Sequence, residues 1–222
     1  STFMRVESRR DNQVYAQEYK IGVPQFPVTI LKDKKLDSSL TKTYVPHLKT
    51  GTSSQFLPDP SIFKTTTTFS FKTLVSKIRE RAYLVAGLTF HIFNQNTDQE
   101  LHFYFEGGIR SLVRHLNKDK KALHQPIYVS GSTTVENINI GVEVALQYND
   151  SFSETISTFA NVINTYDGGT HLTGFRIALN KSLKDYATKN GLLKNDKETF
   201  GSEDLREGLT AVVFVKLSAN DI

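Results

Sequence analysis

With 222 residues, 38% of them hydrophobic and 11% aromatic, the chain carries enough apolar surface for a real core, in one elongated unit or two small domains. It has no cysteines, which excludes disulfide frameworks and thiolate metal sites and fits a reducing compartment. The formal net charge of +4 gives nucleic-acid binding only weak support, and no stretch approaches the roughly twenty apolar residues of a membrane helix, so a soluble, cytoplasmic protein with no membrane association is expected.

From Met4 to Lys20 the residues suit two strands around a turn at Asp11-Asn12, since Asx residues tolerate the backbone angles of a tight hairpin. Prolines and charge make Gly22 to Pro27 and the run Lys32 to Lys42 read as loop. Thr50-Gly51-Thr52 is a turn entering a short strand through Gln55-Phe56-Leu57, which Pro58-Asp59-Pro60 ends. Phe71, Leu74, Val75, Ile78, Ala82 and Val85 recur at helical spacing, and the predicted helix closes near Gly87. Leu88, Phe90 and Ile92 alternate as a strand, Asn94 to Glu100 is its turn, and a strand returns through Phe103 and Phe105.

The pair Gly107-Gly108 is the expected domain joint, because a new helical pattern begins at once with Ile109, Leu112, Val113 and Leu116. Gly141 to Tyr148 alternates as a strand. Phe152, Ile156, Phe159 and Ile163 then repeat every three or four residues and predict an amphipathic helix, capped by Asn149-Asp150-Ser151. A further helix starts near Thr170, its cap, and carries Leu172, Phe175, Leu179, Leu183 and Tyr186 to a stop at Asn190-Gly191. Ala211 to Leu217 is a buried strand. The second half thus reads strand, helix, helix, strand, an α+β arrangement.

Self-sufficient catalytic machinery is missing from this pattern. The sequence contains no phosphate-cradling loop, dinucleotide fingerprint, nucleophile elbow or His-Glu-x-x-His. None of the histidines, at 47, 91, 102, 115, 124 and 171, pairs at the i, i+4 helical spacing, so no metal site is expected. Gly168-Gly169-Thr170-His171 is a tight helix entry, with His171 as a packing residue in preference to an anion site. Two basic stripes, Arg110 with Lys118, Lys120 and Lys121, and Arg176 with Lys181 and Lys184, suit either phosphate contacts or plain solvation.

The signature segments are Tyr104 to Ile109, Val142 to Asp150, Asp167 to Phe175 and Arg206 to Ala211, with Gly22-Val23-Pro24, Thr50-Gly51-Thr52 and Pro58 to Phe63 before them. Together they resemble the B subunits of DNA gyrase, type IIA topoisomerases whose ATPase belongs to the GHKL superfamily. The likeness spans nearly the whole chain, and the B subunit of topoisomerase IV is a close relative. The resemblance implies the C-terminal part of a GHKL α/β sandwich over residues 1–106, then a βαβ-type transducer domain over 107–222. It implies an ATP-hydrolysing topoisomerase subunit that couples ATP and Mg2+ to DNA strand passage. The partners it implies are DNA, the A subunit of gyrase and a second B subunit.

Residue by residue, the resemblance gives Thr52 the hydroxyl that helps hold adenine, Gly51 a close backbone approach, and Arg10 the mouth of the same pocket, where aminocoumarins bind in the family. The family's general-base Glu, magnesium-binding Asn, adenine-binding Asp and glycine-rich lid match nothing from residue 1 onward, nor does the Gln-Thr-Lys loop match before Ile222. No catalytic residue is therefore assigned, and these residues alone are expected to be inactive. A non-enzymatic DNA-binding or scaffolding module of the same fold is the alternative from another class.

Overall fold

The computed structural model describes residues 1–31, 50–193 and 200–217, so the charged run at 32–42 lies outside the described residues. The chain divides into two compact units, Ser1–Thr73 with Phe93–Asp98, and Leu74–Ile92 with Gln99–Ile222. This packing leaves Gly107-Gly108 inside the second unit.

The first unit is built on one antiparallel sheet. β1 (Phe3–Arg10) and β2 (Gln13–Lys20) form the expected hairpin, with Asp11 and Asn12 at φ 52° and 59° in the left-handed region a two-residue turn requires. Two short strands, β3 (Val23–Pro24) and β4 (Thr29–Leu31), pair with β2 where the prolines suggested only loop. Pro24 is tolerated because β3 is an edge strand, where a missing N–H costs no ladder bond. β5 (Gly51–Leu57) lies on the other side of β1.

Alternation along the ladder sorts the side chains by face. Arg5, Glu7 and Arg9 share one face with Val14, Ala16 and Glu18 of β2. Glu7 is buried at 3% exposure, and Arg5 bridges it to Glu18 at 2.5 Å, so the charge is taken out of water with its partners. The two carboxylates, Glu7 first, hold the Arg5 guanidinium's pKa above its ordinary value. After β5, Asp59 accepts from the Ser61 amide at 2.9 Å and the Ser61 hydroxyl at 2.6 Å, closing an Asx turn. Those two bonds lower the Asp59 pKa.

The next elements are α1 (Phe71–Leu84), β6 (Phe90–Asn94), β7 (Gln99–Phe103) and α2 (Ile109–Leu116), in the predicted order, with Leu88 before β6, Phe105 past the end of β7, and Gln99 and Glu100 in the strand rather than the turn. Ser70 caps α1 by accepting from the Thr73 amide at 3.3 Å. Only the last turn of α1, Ala82 to Leu84, is buried, so the apolar stripe assigned over its whole length is used at one end.

The second unit's main sheet runs in the order β11-β10-β12-β9-β8, from β8 (Ile127–Val135), β9 (Ile138–Tyr148), β10 (Thr155–Ala160), β11 (Ile163–Asn164) and β12 (Leu209–Leu217). The predicted helix over Phe152 to Ile163 is overturned: the segment is β10, a turn with Asn161 at φ 50°, and β11. Thr155, Ile156 and Thr158 are β-branched and lose rotamer freedom in a helix, and a parallel ladder with β12 satisfies their backbone. α3 (Thr170–Lys189) makes the crossover from β11 to β12. Its cap position is Gly169, with no side-chain cap bond, so Thr170 is the first helical residue rather than the cap.

Both faces of this sheet are covered. Tyr83, Leu84, Ile109, Leu112 and Val113 from the helices pack with Ala145, Phe159, Val212 and Phe214 on one side. Phe175 and Leu179 of α3 pack with Leu146, Leu209 and Ala211 on the other. β12 sits between, and its residues Leu209 to Phe214 are all buried, as a central strand with helices on both faces demands.

Candidate functional site

At one end of the first sheet, the register sets Ser8 opposite Thr52 and Arg9 opposite Gly51. Arg10 is two residues along from Ser8, so Arg10 and Thr52 fall on the same face with Ser8 between them. The three residues singled out from sequence, Arg10, Gly51 and Thr52, are thereby brought to a single sheet end. Arg10 is exposed and paired only loosely with Asp11 at 3.6 Å, and the Thr52 hydroxyl is on the exposed side of β5. Gly51 presents bare backbone opposite Arg9.

Arg9 adds a feature that its sequence context does not reveal. Its Nε is shielded from solvent and has no hydrogen-bond partner among the described residues. A buried donor of this kind costs stability unless something accepts from it. Arg9 lies on the face of Glu7, Val14 and Ala16, opposite the face that carries Arg10 and Thr52, so the donor set on one side is the Thr52 hydroxyl, the Gly51 backbone and the Arg10 guanidinium. That set contains no carboxylate cage for a magnesium ion; among the described residues, the group of three metal-donor side chains lies elsewhere, in the β6–β7 hairpin.

The glycine-rich and acidic-amide segments of the second unit are structural. Asn117, Gln147, Asn149 and Thr210 are all buried and form one network: Asn117 Nδ2 donates to Gln147 Oε1 at 2.8 Å, Asn149 Nδ2 to Asn117 Oδ1 at 3.2 Å, and the Thr210 hydroxyl to Asn117 Oδ1 at 2.7 Å. Gly208 is at φ +70°, and a Cβ there would stand 2.4 Å from the Asn149 carbonyl oxygen. The segment Gln147-Tyr148-Asn149 and the segment Gly208-Leu209-Thr210 thus require each other's identities. His171 accepts or donates at 3.0 Å with the Thr165 hydroxyl, which itself meets the Thr158 hydroxyl at 2.7 Å, a packing role.

The basic stripes are partly spoken for. Arg110 lies over the Tyr128 ring at 4.4 Å, Arg176 pairs with Glu154 at 2.7 Å, and Lys120 donates to the Thr155 hydroxyl at 3.3 Å.

Comparison with known proteins decides the lineage. The sequence profile described as DNA gyrase B matches residues 108–221. This chain belongs to the DNA gyrase B family. It is 39% identical over 219 residues to the DNA gyrase B subunit of Halalkalibacterium halodurans, covering 98% of this chain and 32% of that protein. It is 40% identical over 215 residues to the DNA topoisomerase 4 B subunit of Streptococcus pneumoniae, covering 97% of this chain and 31% of that one. Among solved structures it is similar to the 43K ATPase domain of Thermus thermophilus gyrase B in complex with an aminocoumarin, with a TM-score of 0.80, 34% identity, and coverage of 98% and 56%. The chain therefore spans about a third of these gyrase B-family relatives, and the α+β fold expected from sequence is that of gyrase B ATPase structures. Among the described residues, no helix is long and apolar enough to cross a membrane.

Proposed function

We propose that this chain is the ATPase-to-transducer portion of a gyrase B-type subunit, with residues 1–106 from the ATPase domain and 107–222 forming the transducer. Its part in the cycle is to line the base side of the ATP pocket and to relay nucleotide state to DNA strand passage and negative supercoiling. The observation that carries the reading is the register that sets Thr52 and Arg10 on one face at one sheet end, with the Gly51 backbone beside Thr52. The match of the profile from Gly108 onward supports the joint at 106/107.

In this reading the Thr52 hydroxyl and Gly51 backbone orient adenine, and Arg10 closes the pocket mouth, the place where an aminocoumarin competes. Bound ATP would supply the phosphoanhydride, and Mg2+ would neutralise its phosphate charge. The base, the metal ligand and the phosphate-reaching cation come from outside the residues named here, so these 222 residues bind nucleotide weakly and hydrolyse none. In the whole protein, DNA, the A subunit of gyrase and a second B subunit complete the cytoplasmic assembly.

The test is ATPase and supercoiling by the full-length protein reconstituted with its A-type partner. Thr52→Val is expected to raise the KM for ATP about tenfold, the loss of one specific hydrogen bond, with a smaller change in kcat. An unchanged KM would remove Thr52 from the pocket. Because the topoisomerase 4 relative is as similar as the gyrase ones, decatenation is measured alongside, and decatenation without negative supercoiling would assign the protein to topoisomerase IV.

A further inference from the structure

The β6–β7 hairpin brings together side chains that no step above uses. His91 on β6 and His102 on β7 stack across the strands, with ring centroids 4.2 Å apart and planes within 7°. Glu100, also on β7, places one oxygen, Oε1, in direct contact with His91 Nε2 and 3.3 Å from His102 Nε2. The three donor atoms lie within 4.8 Å of one another. Glu100 Oε1 thus lies beside both ε-nitrogens, and the stacked rings would turn about χ2 to aim their in-plane Nε2 lone pairs at one ion.

We propose that His91, Glu100 and His102 form a binding site for a borderline divalent metal ion, zinc in particular. Two imidazoles and a carboxylate are a donor set that zinc takes with a fourth position left open. At zinc–ligand distances of about 2.0–2.1 Å, the edges of a tetrahedron are roughly 3.3–3.4 Å. The separation of Glu100 Oε1 and His102 Nε2, 3.3 Å, is already such an edge. His91 is the more sheltered ligand, at 18% side-chain exposure, while His102 is at 45%, so the fourth position faces water on the outer side. Each imidazole offers its Nε2 lone pair and keeps its proton on Nδ1. A metal there links the two strands of the hairpin that leads into Gly107-Gly108 and α2.

Zinc and cobalt(II) titrations of the purified chain, after chelator treatment and dialysis, test this. The expected results are one tightly held equivalent by mass spectrometric metal analysis and visible cobalt bands of tetrahedral intensity that zinc abolishes. His102→Ala and Glu100→Gln change exposed positions, and circular dichroism checks that the fold is kept. Each is expected to weaken zinc binding by at least about tenfold, since loss of even an outer-shell partner has that effect. His171→Gln, in the same unit, should leave the affinity unchanged. Failure to retain a stoichiometric metal, or unaltered affinity in both folded variants, overturns the proposal, and neither result bears on the ATPase reading.

Discussion

Replacing Gly208 with Ala probes the joint between the second unit's two buried segments. An alanine at φ +70° costs about 1–2 kcal/mol from the left-handed backbone alone. Its Cβ would also stand 2.4 Å from the Asn149 carbonyl oxygen and 2.8 Å from that of Ser151, and both are backbone atoms that no rotamer change can move. Relief requires the chain to shift, which strains the 2.9 Å bond from the Asn149 amide to the Gly208 carbonyl and misaligns the network through Thr210. A lost buried hydrogen bond adds about 1–3 kcal/mol, for a total of about 2–5 kcal/mol. Gly191, at φ +63° after α3 with nothing within 4 Å of its Cβ position, is the control. Gly191→Ala should cost only the backbone share, about 1–2 kcal/mol. Urea unfolding followed by circular dichroism reads both variants. If Gly208→Ala loses no more than Gly191→Ala, the steric part of the reasoning is wrong.

Thr210→Val keeps the side chain's shape but deletes the hydroxyl that serves Asn117 and Asn149; it should cost about 1–3 kcal/mol in the same unfolding assay, and Thr210→Ser should recover most of it. Asp59 supplies a pH dependence: its pKa is lowered in the fold, so the stability it contributes is complete above the ordinary carboxylate value of 3.8 and is lost as pH falls through the lower folded value. Thermal melts against pH should therefore show an acid limb that flattens in Asp59→Asn, and an unchanged limb would mean that the Ser61 contacts carry no such linkage.

Local chemistry makes much of the fold legible. The Asp11-Asn12 turn, the α2 and α3 patterns and the apolar run of β12 each declare themselves within a single local segment. Phe152 to Ile163 misleads because its apolar spacing also suits a helix, while the deciding partner, β12, lies some fifty residues on. β8 escapes notice because its Ser, Thr and Gly residues show no apolar alternation on an exposed edge strand. The signature segments point to the family, yet two of them, Val142 to Asp150 and Arg206 to Ala211, meet in a buried amide network. Helical spacing cannot reveal the His91–His102 pair; a hairpin turn predicted between them is the signal for cross-strand neighbours.

The position of β12 bears on how the protein is made. It is the last strand of its sheet in sequence yet lies between β10 and β9, its parallel and antiparallel neighbours, both synthesised long before it. Until the ribosome has released residues 209–217, β9 and β10 each offer a bare inner edge with an apolar face, for a time on the order of seconds at ordinary elongation rates. A nascent chain in that interval is open to pairing with another copy, so the second unit is the part whose yield should depend most on chaperones and on translation speed.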